Sequence, residues 1–287
     1  MYIYLNSDYV KAEEAKISPF DHGYLYGLGA FETFRLYKGH PFLLDDHLHR
    51  LQGAMEELHI RLELSGLKIE DIIQKLLILN QLENENVSVR LNVSAGAGGL
   101  AFGAMEYLDP TVMLFMRKLP EMPENLEKSG RILSLPRNTP EGERRLKSHH
   151  YLNNILAKHE IGNDPSIEGI FLTKEGFVAE GIVSNLFWIK DHIVYTPSID
   201  TGILNGITRQ FIMRCLEKIG LQAEEGFYPT EKLLKADEVF AVNSVQEIIP
   251  LKEIGSHSFL GKKGEITQTL QKMYKQNTML LKSRFEL

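Results

Sequence analysis

Apolar residues recur at every second position in some stretches of this chain and at every third and fourth in others, and the change of period separates strands from helices. Tyr2, Ile3, Tyr4 and Leu5 open as a strand, and the turn at Asn6-Ser7-Asp8 predicts a hairpin with a weaker second strand over Tyr9–Ala12. Phe31–Tyr37 alternates, placing Phe31, Thr33, Arg35 and Tyr37 on one face. Leu48, Leu51, Met55, Leu58 and Leu62 then step by three and four, predicting a helix opened by Asp45 and Asp46. A second helix is predicted from Ile69 to Leu82. Beyond it, Val87–Ser94 sets Val87, Val89, Leu91 and Val93 against Ser88, Arg90, Asn92 and Ser94. A polar face on a central strand is costly unless it lines a cavity. Ala95–Gly99 bends, and Thr111–Met116 is a further apolar strand.

Leu119–Glu124 holds two prolines and charged residues, the composition of a linker. The predicted organisation is therefore a first domain over 1–118, a linker over 119–124 and a second domain over 125–287. In the second, Gly130–Pro136 reads as a strand. Ser148 caps a helix carried by Tyr151, Leu152, Ile155 and Leu156 and stopped at Gly162. Gly169–Thr173, Phe177–Glu180, Ser184–Lys190 and Ile193–Thr196 read as a meander of short strands. A helix entered through Asn205-Gly206, a short helix near Glu231–Lys235, strands at Glu238–Val242 and Ile248-Ile249, and a C-terminal helix from Glu265 complete the chain.

Composition narrows the class. The 287 residues are 43% hydrophobic and 24% charged, those of an ordinary globular protein, and no apolar run is long enough to cross a membrane. The formal net charge of -6, with no basic stripe, argues against a nucleic-acid partner and for a small molecule. Cys215, the single cysteine, lies in a helical run and reads as packing in a reducing, cytoplasmic setting.

Three places carry candidate chemistry. Lys147, just before the predicted helix, meets the partial positive charge of its first turn, which suits a lysine that attacks carbonyls; the alternative is a solvated lysine beside Arg144 and Arg145. Glu180 ends an apolar strand, where it either faces water or needs a buried partner. Gly206 opens a helix that Thr208 caps, a site for one phosphate; no GxxxxGK[ST] or GxGxxG pattern accompanies it. Asp45, Asp46, His47 and His49 suggest a metal, but neighbouring helix positions diverge by about 100° and helix-capping aspartates suit them better. The glycine- and aromatic-rich Ile17–Ala30 packs closely against a ligand, another chain or the protein itself.

Lys147–Asn154, Glu180–Phe187 and Gly202–Arg209, with Asp21–Arg35 and the helix start at Asp45–Leu51, together resemble fold-type IV pyridoxal phosphate (PLP) enzymes of the class-IV aminotransferase family. That group includes branched-chain and D-amino acid aminotransferases and 4-amino-4-deoxychorismate lyases, and the chain is most similar to the bacterial lyases. The resemblance implies an α+β fold, with a smaller N-terminal α/β sandwich and a larger β-rich C-terminal domain with helices, PLP in the cleft, and a homodimer. It implies Lys147 as Schiff-base lysine and proton shuttle. Glu180 would face the pyridine nitrogen, Arg50, Ile207, Thr208 and Ser244 the phosphate, and Tyr151 the ring hydroxyl, with Ser184 and Asn185 also at the cofactor. Thr33 stands where branched-chain aminotransferases typically have glycine and D-amino acid aminotransferases valine, whereas the lyases have a threonine that assists proton transfer. Arg35, Arg90 and Asn243 are the candidate substrate-binding residues, although Ala95 stands where some lyases place an arginine. The implied reaction converts 4-amino-4-deoxychorismate to 4-aminobenzoate and pyruvate in folate biosynthesis; the alternative is an aminotransferase of the same fold.

Overall fold

Val87, Val89, Leu91 and Val93 are all fully buried, so the alternation of that strand sorts its side chains into core and cavity. The computed structural model describes residues 1–64, 68–100, 106–123 and 126–287. They form two compact units.

The first unit comprises Met1–Glu121, Leu146–His150 and Thr278–Glu286. Its elements are β1 (Tyr2–Leu5), β2 (Asp8–Lys11), α1 (His22–Tyr26), β3 (Gly29–Tyr37), β4 (His40–Pro41), α2 (Leu44–Glu57), α3 (Ile69–Asn80), β5 (Asn86–Ser94) and β6 (Thr111–Lys118). The sheet runs β2-β1-β6-β5-β3-β4. Phe34, Leu36 and the four β5 apolar residues pack with Leu51 and Met55 of α2 and Ile73 and Leu77 of α3. Each such side chain contributes about 1.5–3 kcal/mol. On the other face Thr33 pairs with Arg90, and Arg90 with Phe115. With Ser88 they line a cavity of about 810 Å³.

The second unit comprises Met122–Arg145 and Tyr151–Asn277, with Leu287. It holds β7 (Lys128–Ile132), α4 (Leu152–Ile161), β8 (Ile167–Leu172), β9 (Val178–Gly181), β10 (Asn185–Lys190), β11 (Ile193–Pro197), α5 (Ile207–Lys218), β12 (Ala223–Gly226), α6 (Thr230–Leu234), β13 (Glu238–Asn243), β14 (Glu247–Ile254), β15 (His257–Ser258) and α7 (Glu265–Asn277). The strands run β12-β11-β10-β13-β14-β7-β8-β9, with β15 on β14. Trp188, Leu186, Val239 and Leu251 sit in one buried cluster of this unit and Phe171, Ala157 and Ile203 in another.

Three expectations change. The four strands β8 to β11 are not one meander: β8–β9 and β10–β11 stand apart because β10 takes β13 as its neighbour and β8 takes β7. The helix predicted to begin at Ser148 begins at Leu152, because residues 146–150 are drawn into the first unit as an extended segment. The helix α2 ends at Glu57, leaving Leu62 beyond it. The contact division falls after Glu121, inside the expected linker, whose last residue, Glu124, lies outside the described residues. Among the described residues no helix is long and apolar enough to cross a membrane.

Candidate active site

Lys147 is held by backbone pairing to β3. The Phe31 N–H donates to the Lys147 carbonyl at 2.9 Å, the His149 N–H donates to the Gly29 carbonyl at 3.0 Å, and Ala30 bridges Ser148. A Cβ on Gly29 would overlap the His149 ring, so the close approach needs glycine there. The lysine thus sits beside a strand rather than at a helix terminus, and the helix-charge argument does not apply to it. Its Nζ lies 4.6 Å from the centroid of the Phe31 ring, and the Arg90 guanidinium carbon lies 3.6 Å from the same centroid. Thr33 follows Phe31 on that face, directly opposite Arg90. Burial, with the positive charge of Arg90 adding to it, pushes His149 down to about 4, so this imidazole stays neutral at physiological pH. Arg35, by contrast, is 5% exposed, with its guanidinium carbon 4.5 Å from the Tyr37 ring centroid. Arg90 is exposed and more accessible to a ligand.

Arg50 meets a carboxylate that the sequence reading did not single out. Glu32, fully buried on the core face of β3, accepts from Arg50 Nε and Nη2, both at 2.7 Å, and from His47 Nδ1 at 2.7 Å. Burial alone would raise Glu32, but the facing Arg50 charge and the hydrogen bonds outweigh it and bring the carboxyl to about 2. Burial lowers His47 below the ordinary imidazole range, against the pull of the facing Glu32 carboxylate, which raises it. The signal was available: a glutamate alternating onto an apolar strand face demands a partner, and His47 and Arg50 share one helix face three residues apart. The other candidate metal ligands diverge. Asp46 pairs with Arg284, whereas Asp45 and His49 are exposed.

In the second unit Glu180, 4% exposed, accepts from Arg137 Nε at 2.7 Å, from the Leu204 N–H at 3.0 Å and from Asn185 Nδ2 at 3.5 Å. It is the buried, partnered carboxylate rather than the solvent-facing one. Arg145 Nε lies 3.9 Å from the same carboxylate; burial, then Arg137, lowers this guanidine to about 10, still charged at neutral pH. Arg137 is the second residue that sequence reading missed. Asn185 also donates to the Leu204 carbonyl at 2.8 Å, tying Glu180 to the loop that enters α5. The hydroxyl of Ser184 donates to Glu168 at 2.6 Å.

At the start of α5 the N-cap is Gly206, with no side-chain cap, so Thr208 is not the cap but a first-turn residue. Its hydroxyl lies 3.2 Å from that of Ser244, and Ile207 precedes it as the first helical residue. A Cβ on Gly206 would overlap Asn185 Oδ1, so glycine leaves the first turn open. Two hydroxyls beside an uncapped helix N-terminus suit a single phosphate. Asn243 Oδ1 accepts from the Val245 and Gln246 N–H groups at 2.9 and 2.8 Å, which shapes the turn presenting Ser244. Tyr151 is the N-cap residue of α4, three residues after Ser148. The structure thus gathers Lys147, Thr33 and Arg90 around Phe31 in one unit, and Glu180, Asn185, Thr208 and Ser244 around the α5 entry in the other.

The sequence profile of the amino-transferase class IV family matches residues 29–254. An aminodeoxychorismate lyase of Bacillus subtilis (strain 168) is 52% identical over 273 residues, 95% of this chain and 93% of the relative. A putative branched-chain-amino-acid aminotransferase of Methanocaldococcus jannaschii is 34% identical, covering 96% of each. The crystal structure of a 4-amino-4-deoxychorismate lyase from Pseudomonas aeruginosa superposes with a TM-score of 0.85 at 26% identity, over 97% of this chain and 100% of that one.

Proposed function

The chain belongs to the amino-transferase class IV family, and from that premise we propose that it is a PLP-dependent aminodeoxychorismate lyase, converting 4-amino-4-deoxychorismate to 4-aminobenzoate and pyruvate. The observation that carries the choice of activity is the 52% identity to a lyase, against 34% to the aminotransferase relative, with Thr33 beside Arg90 on the cavity face.

The residues present fit the cofactor: an uncapped helix start with the Thr208 and Ser244 hydroxyls for a phosphate, a buried carboxylate in Glu180 for a protonated ring nitrogen, and Lys147 for an aldehyde. Bound PLP supplies an electron sink for the carbon that bears the substrate nitrogen. Lys147 accepts the proton leaving C4 of the substrate ring. The bond from C3 to the enolpyruvyl oxygen then breaks, and Thr33 or Lys147 returns a proton as pyruvate forms. Ring aromatisation needs no oxidant. Arg137 holds Glu180 in place, Arg50 and Tyr151 contribute to cofactor contact, and Ser184 and Asn185 brace the cofactor loops. Arg90, with Arg35 and Asn243, recognises substrate carboxylates.

The two units are taken as the smaller and larger domains; the chain passes from the first to the second within 119–124, but Leu146–His150 and Thr278–Glu286, expected in the second domain, belong to the first unit. The apolar stripe Leu152, Ile155 and Leu156 on α4, at 67%, 47% and 45% exposure, supports a homodimer that covers it; light scattering of the purified protein at micromolar concentration tests this, and a monomer would refute it. The buried, unpaired Cys215, pushed up to about 12 by desolvation, is in keeping with a cytoplasmic setting. The deciding experiment supplies aminodeoxychorismate to purified protein with PLP. Equimolar 4-aminobenzoate and pyruvate are expected; transamination of branched-chain or D-amino acids without those products would favour the aminotransferase instead.

A further inference from the structure

The second unit contains a buried ion pair that none of these steps uses. Lys128 and Glu168 are each 5% exposed, and Lys128 Nζ donates to Glu168 Oε2 at 2.8 Å. Burying such a pair costs desolvation of both ions, so stability alone is a weak reason to find it here. Its other contacts lead to two turns. Through Oε1 Glu168 accepts from Ser184 at 2.6 Å, in the turn that the Gly181 N–H closes onto the Ser184 carbonyl at 2.8 Å, directly after Glu180. A Cβ on Gly181 would overlap Ser184 Oγ, so that turn rests against the hydroxyl and its carboxylate partner. On the opposite side Lys128 Nζ donates to Gln246 Oε1 at 3.0 Å. Gln246 closes the Asn243 turn that presents Ser244.

We propose that Lys128 is a positioning residue: through Glu168 and Gln246 it fixes the turn after Glu180 and the turn bearing Ser244 relative to each other, and so matches the cofactor's ring-nitrogen partner to its phosphate hydroxyl. The inference rests on the PLP reading above. Two buried charges with the hydrogen bonds they direct define a separation more rigidly than an apolar contact, because each bond is directional. Lys128 touches neither cofactor nor substrate in this account.

The test compares affinity for PLP with affinity for pyridoxal, which lacks the phosphate, by cofactor absorbance and fluorescence titration of the full-length protein stripped of cofactor. Gln246→Ala removes the Ser244-side link while leaving the Lys128–Glu168 pair intact. It should weaken PLP binding about tenfold, the scale of one hydrogen bond to a charged group, and leave pyridoxal binding within about twofold. Gln246→Glu keeps an acceptor for Lys128 and should restore PLP affinity. Lys128→Met strands Glu168 and risks misfolding, so the paired Lys128→Met/Glu168→Gln variant stands in for it and should show the same selective loss. Equal loss for both ligands, or no loss in either variant, would overturn the positioning role. Failure of the unmodified protein to bind PLP would overturn the reading beneath it.

Discussion

Two buried carboxylates invite comparison. Glu32 in the first unit and Glu180 in the second both end on an arginine at 2.7 Å, and both lie below 5% exposure. Their remaining partners differ. Glu32 is closed in by side chains of a single helix, Arg50 and His47, and faces the core beneath β3. Glu180 has Arg137, with Arg145 at 3.9 Å, then the Leu204 N–H from the loop that leads into α5 and the Asn185 amide at the start of β10. A carboxylate enclosed by one packed element holds structure together; one shared between a strand end and the loop that opens α5 is placed to meet something else. The lesson is that burial and an arginine do not by themselves distinguish a structural acid from a functional one, whereas the nature of the third partner does.

Glu180→Gln should separate the two kinds most sharply. We expect kcat to fall about 10²- to 10³-fold, the cost of removing one preorganised electrostatic partner, with the PLP spectrum shifted. Unchanged kcat and spectrum would contradict the ring-nitrogen role. Glu32→Gln should act through the fold, destabilising by about 3 kcal/mol in urea titration because Arg50 is left facing a neutral amide. A loss confined to activity at wild-type stability would reverse the comparison.

Acid unfolding provides a third discriminator. Glu32 titrates near 2 in the folded protein against an ordinary value of 4.5, so the unfolded chain takes up its proton first. Its stabilisation is complete above about pH 4.5 and is lost as pH falls toward 2. His149, lowered to about 4 from 6.5, adds a loss that begins near pH 6.5 and is complete by about 4. Stability measured from pH 7 downward should therefore fall in two stages, and His149→Phe should shrink the earlier one, leaving the part that His47, also lowered by burial, contributes. A single transition in both proteins would count against these assignments.

Thr33→Val is the smallest effect. Were its hydroxyl a proton donor, kcat should fall about tenfold, less than the usual loss for a dedicated acid because Lys147 can substitute. A changed KM at constant kcat would make Thr33 a binding residue, and no change would make it a β-former only.

Much of this was legible before coordinates. The β5 alternation separated core from cavity face because burial on one side imposes period two; burial follows it from Val87 to Leu91, while Asn92 and Ser94 on the polar face are also buried. Lys147 was legible by type and not by setting. Tyr151, Leu152, Ile155 and Leu156 have helical spacing, but the last three remain exposed, so their pattern describes an uncovered surface and says little about where the helix starts. What draws Lys147 into an extended segment is pairing with residues more than a hundred positions earlier, which no local period can express. The sheet order failed for the same reason, since β10 meets β13 only after the intervening β11, α5, β12 and α6 are made. Arg137 escaped because a lone arginine after a strand has no periodic signature, and only the carboxylate it meets gives it meaning.

The proposed chemistry depends most on Lys147 being the residue that holds the cofactor. Protein incubated with PLP, reduced with borohydride and digested for mass spectrometry tests that directly. The reduced pyridoxyl group should be found on the peptide containing Lys147 in stoichiometric yield and be lost in Lys147→Ala. Its attachment to Lys128 or to a scatter of surface lysines would contradict the account.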